Sequence, residues 1–190
     1  MISSRSDNFS IPDGNGKFIT LRDARHLLKE QLEQAKFLGG NMVEVWINET
    51  EHGRQNNNAW DECIEQAREC DLFITLYDGN PGWERKGSGL GVCHAEFDAA
   101  FNTAPQKVQV VRLPGAKLHQ TDPGRRFLDA LTKAHRFETH VKSDWVELQN
   151  KIHSLVRDMI LRAAHEGVRD FHKSGLNTGP ALARPIHRAS

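Results

Sequence analysis

Apolar positions along this chain follow two rhythms that alternate. Leu21, Ala24, Leu27, Leu28, Leu32 and Ala35 recur three or four residues apart. They share one side of a helix that starts at or beside Thr20 and ends at Gly39 and Gly40. Val43, Val45 and Ile47 then alternate with other residues, which predicts a strand over 42–47. After a polar loop at 48–58, Asn58 caps a helix over 59–69 whose stripe is Trp60, Cys63, Ile64 and Ala67. Residues 72–77 form an unbroken apolar run between Asp71 and the pair Asp78 and Gly79, as in a parallel strand covered on both faces. From Val92 the helical period returns with Ala95, Phe97, Ala99, Ala100 and Phe101. Val108, Val110 and Val111 mark a strand over 107–113. Asp122 and Pro123 open the next helix as N-cap and first residue, and it carries Phe127, Leu128, Leu131 and Ala134. A short edge strand is expected over 137–141. Ser143 then caps a long last helix with Val146, Leu148, Ile152, Leu155, Val156, Met159 and Ile160 on its stripe. At the other end, Ile2 and Ser3 read as a very short first strand, as though the chain begins inside a domain, and 5–20 reads as a loop around Pro12, Gly14, Asn15 and Gly16.

Strand and helix in strict alternation predict an α/β fold: a three-layer sandwich around a parallel, flavodoxin-like sheet of order 2-1-3-4-5. The expected domain is 1–166, because after Gly167 the composition turns to Gly, Pro, Asn, Ser and Arg, and 167–190 reads as a linker or disordered tail. A chain of 190 residues suits one such domain. Its 25 Lys and Arg balance its 25 Asp and Glu, so the total charge points neither to nucleic acid nor to an anionic membrane. Cys63, Cys70 and Cys93 form no paired framework, which predicts reduced thiols and a cytoplasmic location. No apolar run reaches membrane-spanning length, and no signal-peptide pattern is present.

The chemistry concentrates around the glycine-rich stretch 79–91. Glu96 falls early in the helix that follows, beyond the carboxyl ends of the strands, where open α/β sheets bind ligands. A carboxylate there can accept from ribose hydroxyls and stabilise an oxocarbenium-like transition state. The plainer reading is a glutamate favoured by the helix dipole. Ser3, Ser4 and Arg5 follow the first strand at the same edge and are candidate substrate contacts. Asp78, beside Gly79, either accepts from a ribose hydroxyl or begins a turn. Trp83 either stacks on a nicotinamide or adenine ring or anchors its loop. Gly87, Gly89 and Gly91 are placed to cradle a phosphate with backbone N–H groups. Cys93, near a helix N-terminus, is a candidate nucleophile, although neighbouring His94 points to a different face. There is no Walker lysine, no G-x-G-x-x-G after the first strand and no zinc spacing, so no metal and no resident cofactor are expected.

Ile2-Ser3-Ser4, Cys70-Asp71 ahead of Phe73-Ile74, Gly79-x-x-Gly82-Trp83 and Glu96-Phe97-x-x-Ala100 together resemble the TIR-like domains of unknown function at the N-termini of bacterial STAND-type NTPases and related antiphage defence proteins. The resemblance covers residues 1–113. Cys93 and His94 stand where that family has an acidic residue or Thr-Glu ahead of its second glutamate, and the first strand is abbreviated. The resemblance implies an effector that hydrolyses the nicotinamide–ribose bond of NAD, with Glu96 as its essential carboxylate and NAD as substrate rather than cofactor. It also implies a homo-oligomer assembled through the TIR-like domain, and a fused or partner sensor domain. Two other readings stand beside it: a nucleoside 2-deoxyribosyltransferase-like enzyme, whose glutamate attacks the sugar, and a non-catalytic self-association or sensor module.

Overall fold

The computed structural model describes residues 1–4, 9–37, 39–48, 57–116, 121–134 and 139–173. The chain divides into two units, residues 1–154 and 155–190.

In the first unit the unbroken apolar run becomes β6 (Phe73–Tyr77), with every residue buried. It is covered on both faces, which is why no alternation shows in its sequence. β6 pairs in parallel with β1 (Ile2–Ser3) on one side and with β7 (Val108–Arg112) on the other, and β7 pairs in parallel with β8 (Thr139–His140). The order is β1-β6-β7-β8, and helices flank this parallel sheet in a three-layer, flavodoxin-like α/β sandwich. The register sets Ser3 beside Thr75 and Tyr77 beside Arg112. The helices are α1 (Leu21–Gln34), α2 (Asn57–Glu69), α3 (Val92–Thr103), α4 (Asp122–Lys133) and α5 (Trp145–Lys173). α5 begins in the first unit and supplies the described part of the second. Helices α2 and α3 pack together, and Trp60, Cys63 and Ala67 of α2 join Phe73, Val92, Cys93, Phe97, Ala100, Val108, Phe127 and Leu131 in one core.

The strand expected over 42–47 has no ladder of its own. Val45 is buried between less buried Val43 and Ile47, so the alternation is kept. Its backbone N–H instead donates to Glu33 at 2.9 Å, and its carbonyl accepts from Lys29, both on α1. On the inner side the Ile2 N–H donates to the Trp46 carbonyl at 3.0 Å, so the segment lies beside β1 where strand 2 of the order 2-1-3-4-5 belongs. Side chains of α1 thus satisfy backbone groups that an edge strand leaves open.

Other differences are local. The stretch read as a loop holds an antiparallel hairpin, β2 (Ser10–Pro12) with β3 (Phe18–Thr20). Asp13 accepts from the N–H groups of Asn15 and Lys17 in its turn. α1 ends at Gln34 rather than at Gly39, and a second small hairpin, β4 (Lys36–Phe37) with β5 (Gly40–Asn41), follows. On α1 Leu27 is exposed and Arg25 is buried in its stead. Thr121, not Asp122, caps α4, accepting from Gly124 N–H. Asp144, not Ser143, caps α5, accepting from Glu147 N–H at 3.0 Å, while the Glu147 carboxylate reaches back to the N–H groups of Lys142 and Ser143. Val146 is half exposed, whereas Leu148 and Ile152 are fully buried.

In the second unit α5 continues through Gly167 to Lys173, past the point where the sequence suggests an end, and residues 161–170 are exposed. The tail 174–190 lies outside the described residues. No described helix is long and apolar enough to cross a membrane.

Candidate functional site

α3 begins at Val92, directly after Gly91, where a Cβ would sit 2.1 Å from the Pro81 carbonyl oxygen, so only glycine fits. That close approach brings the loop 78–91 over the first turn of the helix. Val92 N–H donates to the Trp83 carbonyl at 2.8 Å and Cys93 N–H to the Pro81 carbonyl at 3.0 Å. Two of the donors that a helix start leaves open are therefore taken by the loop. Two Asx turns build the loop. Asp78 Oδ1 accepts from Asn80 N–H, and Asn80 Oδ1 from Gly82 N–H, each at 2.9 Å. Gly79 and Gly82 carry φ of 98° and 83°, which the turns require. Trp83 meets Trp60 of α2 edge to face, with ring centroids 5.4 Å apart, and this contact anchors the loop.

One turn into α3, Glu96 points into the protein and is 3% exposed. The Ser3 hydroxyl, at the carboxyl end of β1, donates to Glu96 Oε2 in a very short hydrogen bond. The Cys63 thiol of α2 hydrogen-bonds the same carboxyl, and Asn48 Nδ2 donates to the Cys63 sulfur at 2.7 Å. Burial pushes the Glu96 carboxyl up to about 7; the bonds from Ser3 and Cys63 and the charge of Arg25 pull the other way. The carboxyl is thus costly to ionise inside the protein core.

The sequence-derived candidates divide. Ser3 and Glu96 are brought into contact. Ser4 takes part through its carbonyl, which accepts from Arg25 Nη1 at 3.2 Å. Asp78 is buried near the same cluster, close enough to act electrostatically on Cys93. Gly79 and Trp83 shape the loop rather than meeting Glu96 directly. Arg5 lies outside the described residues. The nucleophilic role considered for Cys93 is overturned: full burial, with Glu96 and Asp78 nearby, holds its thiol well above the ordinary range, so it stays protonated.

Arg25 and Cys63 are the members that sequence reading missed as site residues. The signal for Arg25 was present, since it lies four residues after Leu21 and three before Leu28 on the buried seam of α1. Cys63 was legible as a core position but not as a partner of Glu96. No group of three His, Cys, Asp or Glu able to hold a metal occurs among the described residues.

Neither the comparison with curated proteins nor that with solved structures gives a match. A family match spans residues 18–160, which includes Arg25, Cys63, the glycine loop and Glu96. On that match the chain belongs to the family described as Domain of unknown function (DUF4062).

Proposed function

We propose that this chain is a TIR-like effector domain that hydrolyses the nicotinamide–ribose bond of NAD, with Glu96 as the essential carboxylate, in a bacterial immune or signalling protein. The observation that carries the reading is the buried Ser3–Glu96 pair at the carboxyl edge of the parallel sheet. A carboxyl that is costly to ionise, set where α/β sheets bind ligands, is a feature that stability alone does not favour.

In the proposed reaction the bond between ribose C1′ and the pyridinium nitrogen breaks, and nicotinamide leaves as a neutral molecule with the bonding electron pair. The Glu96 carboxylate stabilises the oxocarbenium-like sugar; water adds to C1′ and loses a proton to solvent. No separate acid is needed for a leaving group that departs neutral. Ser3 holds Glu96 Oε2 and the Cys63 thiol bonds the same carboxyl, so the sugar takes its place on the carboxylate beside, or in exchange for, these partners. Asp78 and the Ser4 hydroxyl are the nearest further candidates for ribose contacts. The substrate reaches Glu96 when the loop 78–91 shifts from the first turn of α3. A neighbouring copy completes the pocket, so activity per molecule rises with protein concentration.

The burial of Glu96 favours a second reading, a non-catalytic module in which Ser3 and Glu96 pin β1 to α3. Incubating concentrated protein with NAD, and in parallel with deoxynucleosides, and following base release separates the readings. Nicotinamide release supports the hydrolase. Base exchange on deoxynucleosides supports the transferase-like alternative. Silence with both substrates, across a concentration series in which light scattering shows assembly, supports the module and overturns the hydrolase.

A further inference from the structure

Two kinds of contact hold the loop 78–91 over the first turn of α3. Toward α3 the loop offers backbone: the Pro81 and Trp83 carbonyls accept from the N–H groups of Cys93 and Val92. Gly91, the N-cap of α3, adds no side-chain hydrogen bond. The two carbonyls therefore stand where a capping side chain would, and water can replace them at an open helix end. Toward α2 the loop offers side chains. Trp83 meets Trp60 edge to face, and Arg85 Nη1 donates to Asp61 Oδ1 at 3.0 Å. Trp60 and Asp61 are neighbours near the start of α2. Both partners of the ion pair are exposed, so it is weak and open to screening by salt. Within itself the loop is closed: Glu84 bridges Gly91, and Ser88 N–H donates to the Arg85 carbonyl at 2.9 Å. Glycine stands at both of its ends, Gly79 with φ 98° and Gly91 against the Pro81 carbonyl. Beneath it lies Cys93, 2% exposed, with its sulfur 3.1 Å from where a Cβ on Gly82 would sit. Glu96 follows one turn further along the same helix.

We propose that the loop 78–91 is a lid, hinged at Gly79 and Gly91 and latched to α2 by Trp83 on Trp60 and Arg85 on Asp61. What the lid admits rests on the reading of Glu96 as the reactive carboxylate; the motion itself is tested without substrate. Opening breaks two backbone hydrogen bonds, one aromatic contact and one exposed ion pair. It leaves the sheet paired and α2 packed on α3, so it costs far less than unfolding. The latch, rather than the helix end, sets how often the lid opens, because solvent replaces the backbone bonds but not the Trp60–Trp83 contact.

The Cys93 thiol reports the opening, since the loop covers it and opening returns it to solvent and to ordinary reactivity. The full chain is treated with iodoacetamide at mildly alkaline pH, and peptide mapping by mass spectrometry follows the label on Cys93 apart from Cys63 and Cys70. Urea is added in steps below the unfolding transition. The lid predicts a labelling rate that hardly changes with urea, because local opening exposes little surface. Asp61→Asn should raise that rate about two- to fivefold, the worth of an exposed ion pair. Added salt should do the same to the wild type and nothing further to Asp61→Asn. Trp83→Ala should raise the rate about tenfold. Where Trp83→Ala does not fold, the exposed Asp61→Asn and the salt series carry the test. Cys93 labelling that rises with urea as steeply as global unfolding, or that is absent below the transition, overturns the lid. Wild-type rates in folded Asp61→Asn and Trp83→Ala overturn the latch. Urea-independent labelling without nicotinamide release keeps the lid and overturns the hydrolase, so the two proposals stand or fall separately.

Discussion

Helix α3 buries an ionisable side chain on each of two sides, and the two are built differently. Glu96 is met by Ser3 from β1, Cys63 from α2 and the charge of Arg25 from α1, residues far apart in sequence. His94, two positions earlier, stacks on Phe127 of α4 with ring centroids 5.1 Å apart and turns Nε2 toward Asp98, one turn along its own helix, at 3.4 Å. Its Nδ1 is buried with no hydrogen-bond partner among the described residues. Burial keeps His94 neutral, its proton affinity lowered further by Arg126 and raised by Asp98. Burial likewise keeps Glu96 reluctant to ionise. The His94 side is an aromatic packing surface with one local partner that is itself partly exposed. The Glu96 side draws polar groups from three other elements to one carboxyl at the sheet edge. The proposed function rests on that convergence; the His94 side offers only a local helix pair and aromatic packing.

The largest expected effect breaks the two sides apart directly. Glu96→Gln should lower NAD cleavage about 100- to 1000-fold, the usual loss on removing one charge that stabilises a transition state. His94→Gln should stay within about threefold, since nothing at that side faces the sugar. Steady-state nicotinamide release with both folded variants measures this. A loss in His94→Gln as large as in Glu96→Gln would mean that the division of α3 is misdrawn.

Stability against pH sharpens the same comparison, because the two groups give slopes of opposite sign. Glu96 has a folded value of about 7 against an ordinary 4.5. Its contribution is fully present below pH 4.5 and is lost as pH rises through 7, about 3 kcal/mol at roughly 1.4 kcal/mol per pH unit. His94 has a lowered value, so its contribution is present above its ordinary 6.5 and is lost as pH falls below that. Denaturant unfolding at a series of pH values should show the first loss vanish in Glu96→Gln and the second in His94→Gln. An unchanged slope over pH 4.5–7 in Glu96→Gln would show that Glu96 titrates normally in the folded chain.

A smaller effect is expected where the loop meets the helix. Gly82→Ala introduces a Cβ at φ 83°, built 2.8 Å from Val92 Cγ1 and 3.1 Å from the Cys93 sulfur. The strain should cost about 1–3 kcal/mol, seen as a melting temperature lower by about 2–4 °C per kcal/mol. No loss would mean that the loop stands off the first turn of α3 in solution.

The sheet was legible because its strands are distinctive. The run at 72–77 has no polar break, and the valines of β7 lie beside it in register. Glu96 was legible because element order alone places it beyond the strand ends. Arg25 was not, since an arginine among leucines reads as a gap in the stripe, and Leu27 filled that gap on paper although it is exposed. The hairpin β2–β3 was hidden because three-residue strands are too short to show alternation and Pro12, Gly14 and Gly16 dominate the local signal. The missing ladder at 42–47 was hidden for another reason. Its backbone partners are the side chains of Glu33 and Lys29 on α1, which no local pattern announces.

The central claim is that burial has made a carboxyl at the sheet edge whose ionised form does the chemistry. It is tested most directly by the pH dependence of kcat/KM for nicotinamide release from NAD by the assembled wild-type protein. The account predicts a rate that climbs about tenfold per pH unit on the acid side, bends near 7 and is flat above about pH 8. A rate already flat from pH 5 upward, or one that falls as pH rises through 7, would contradict it.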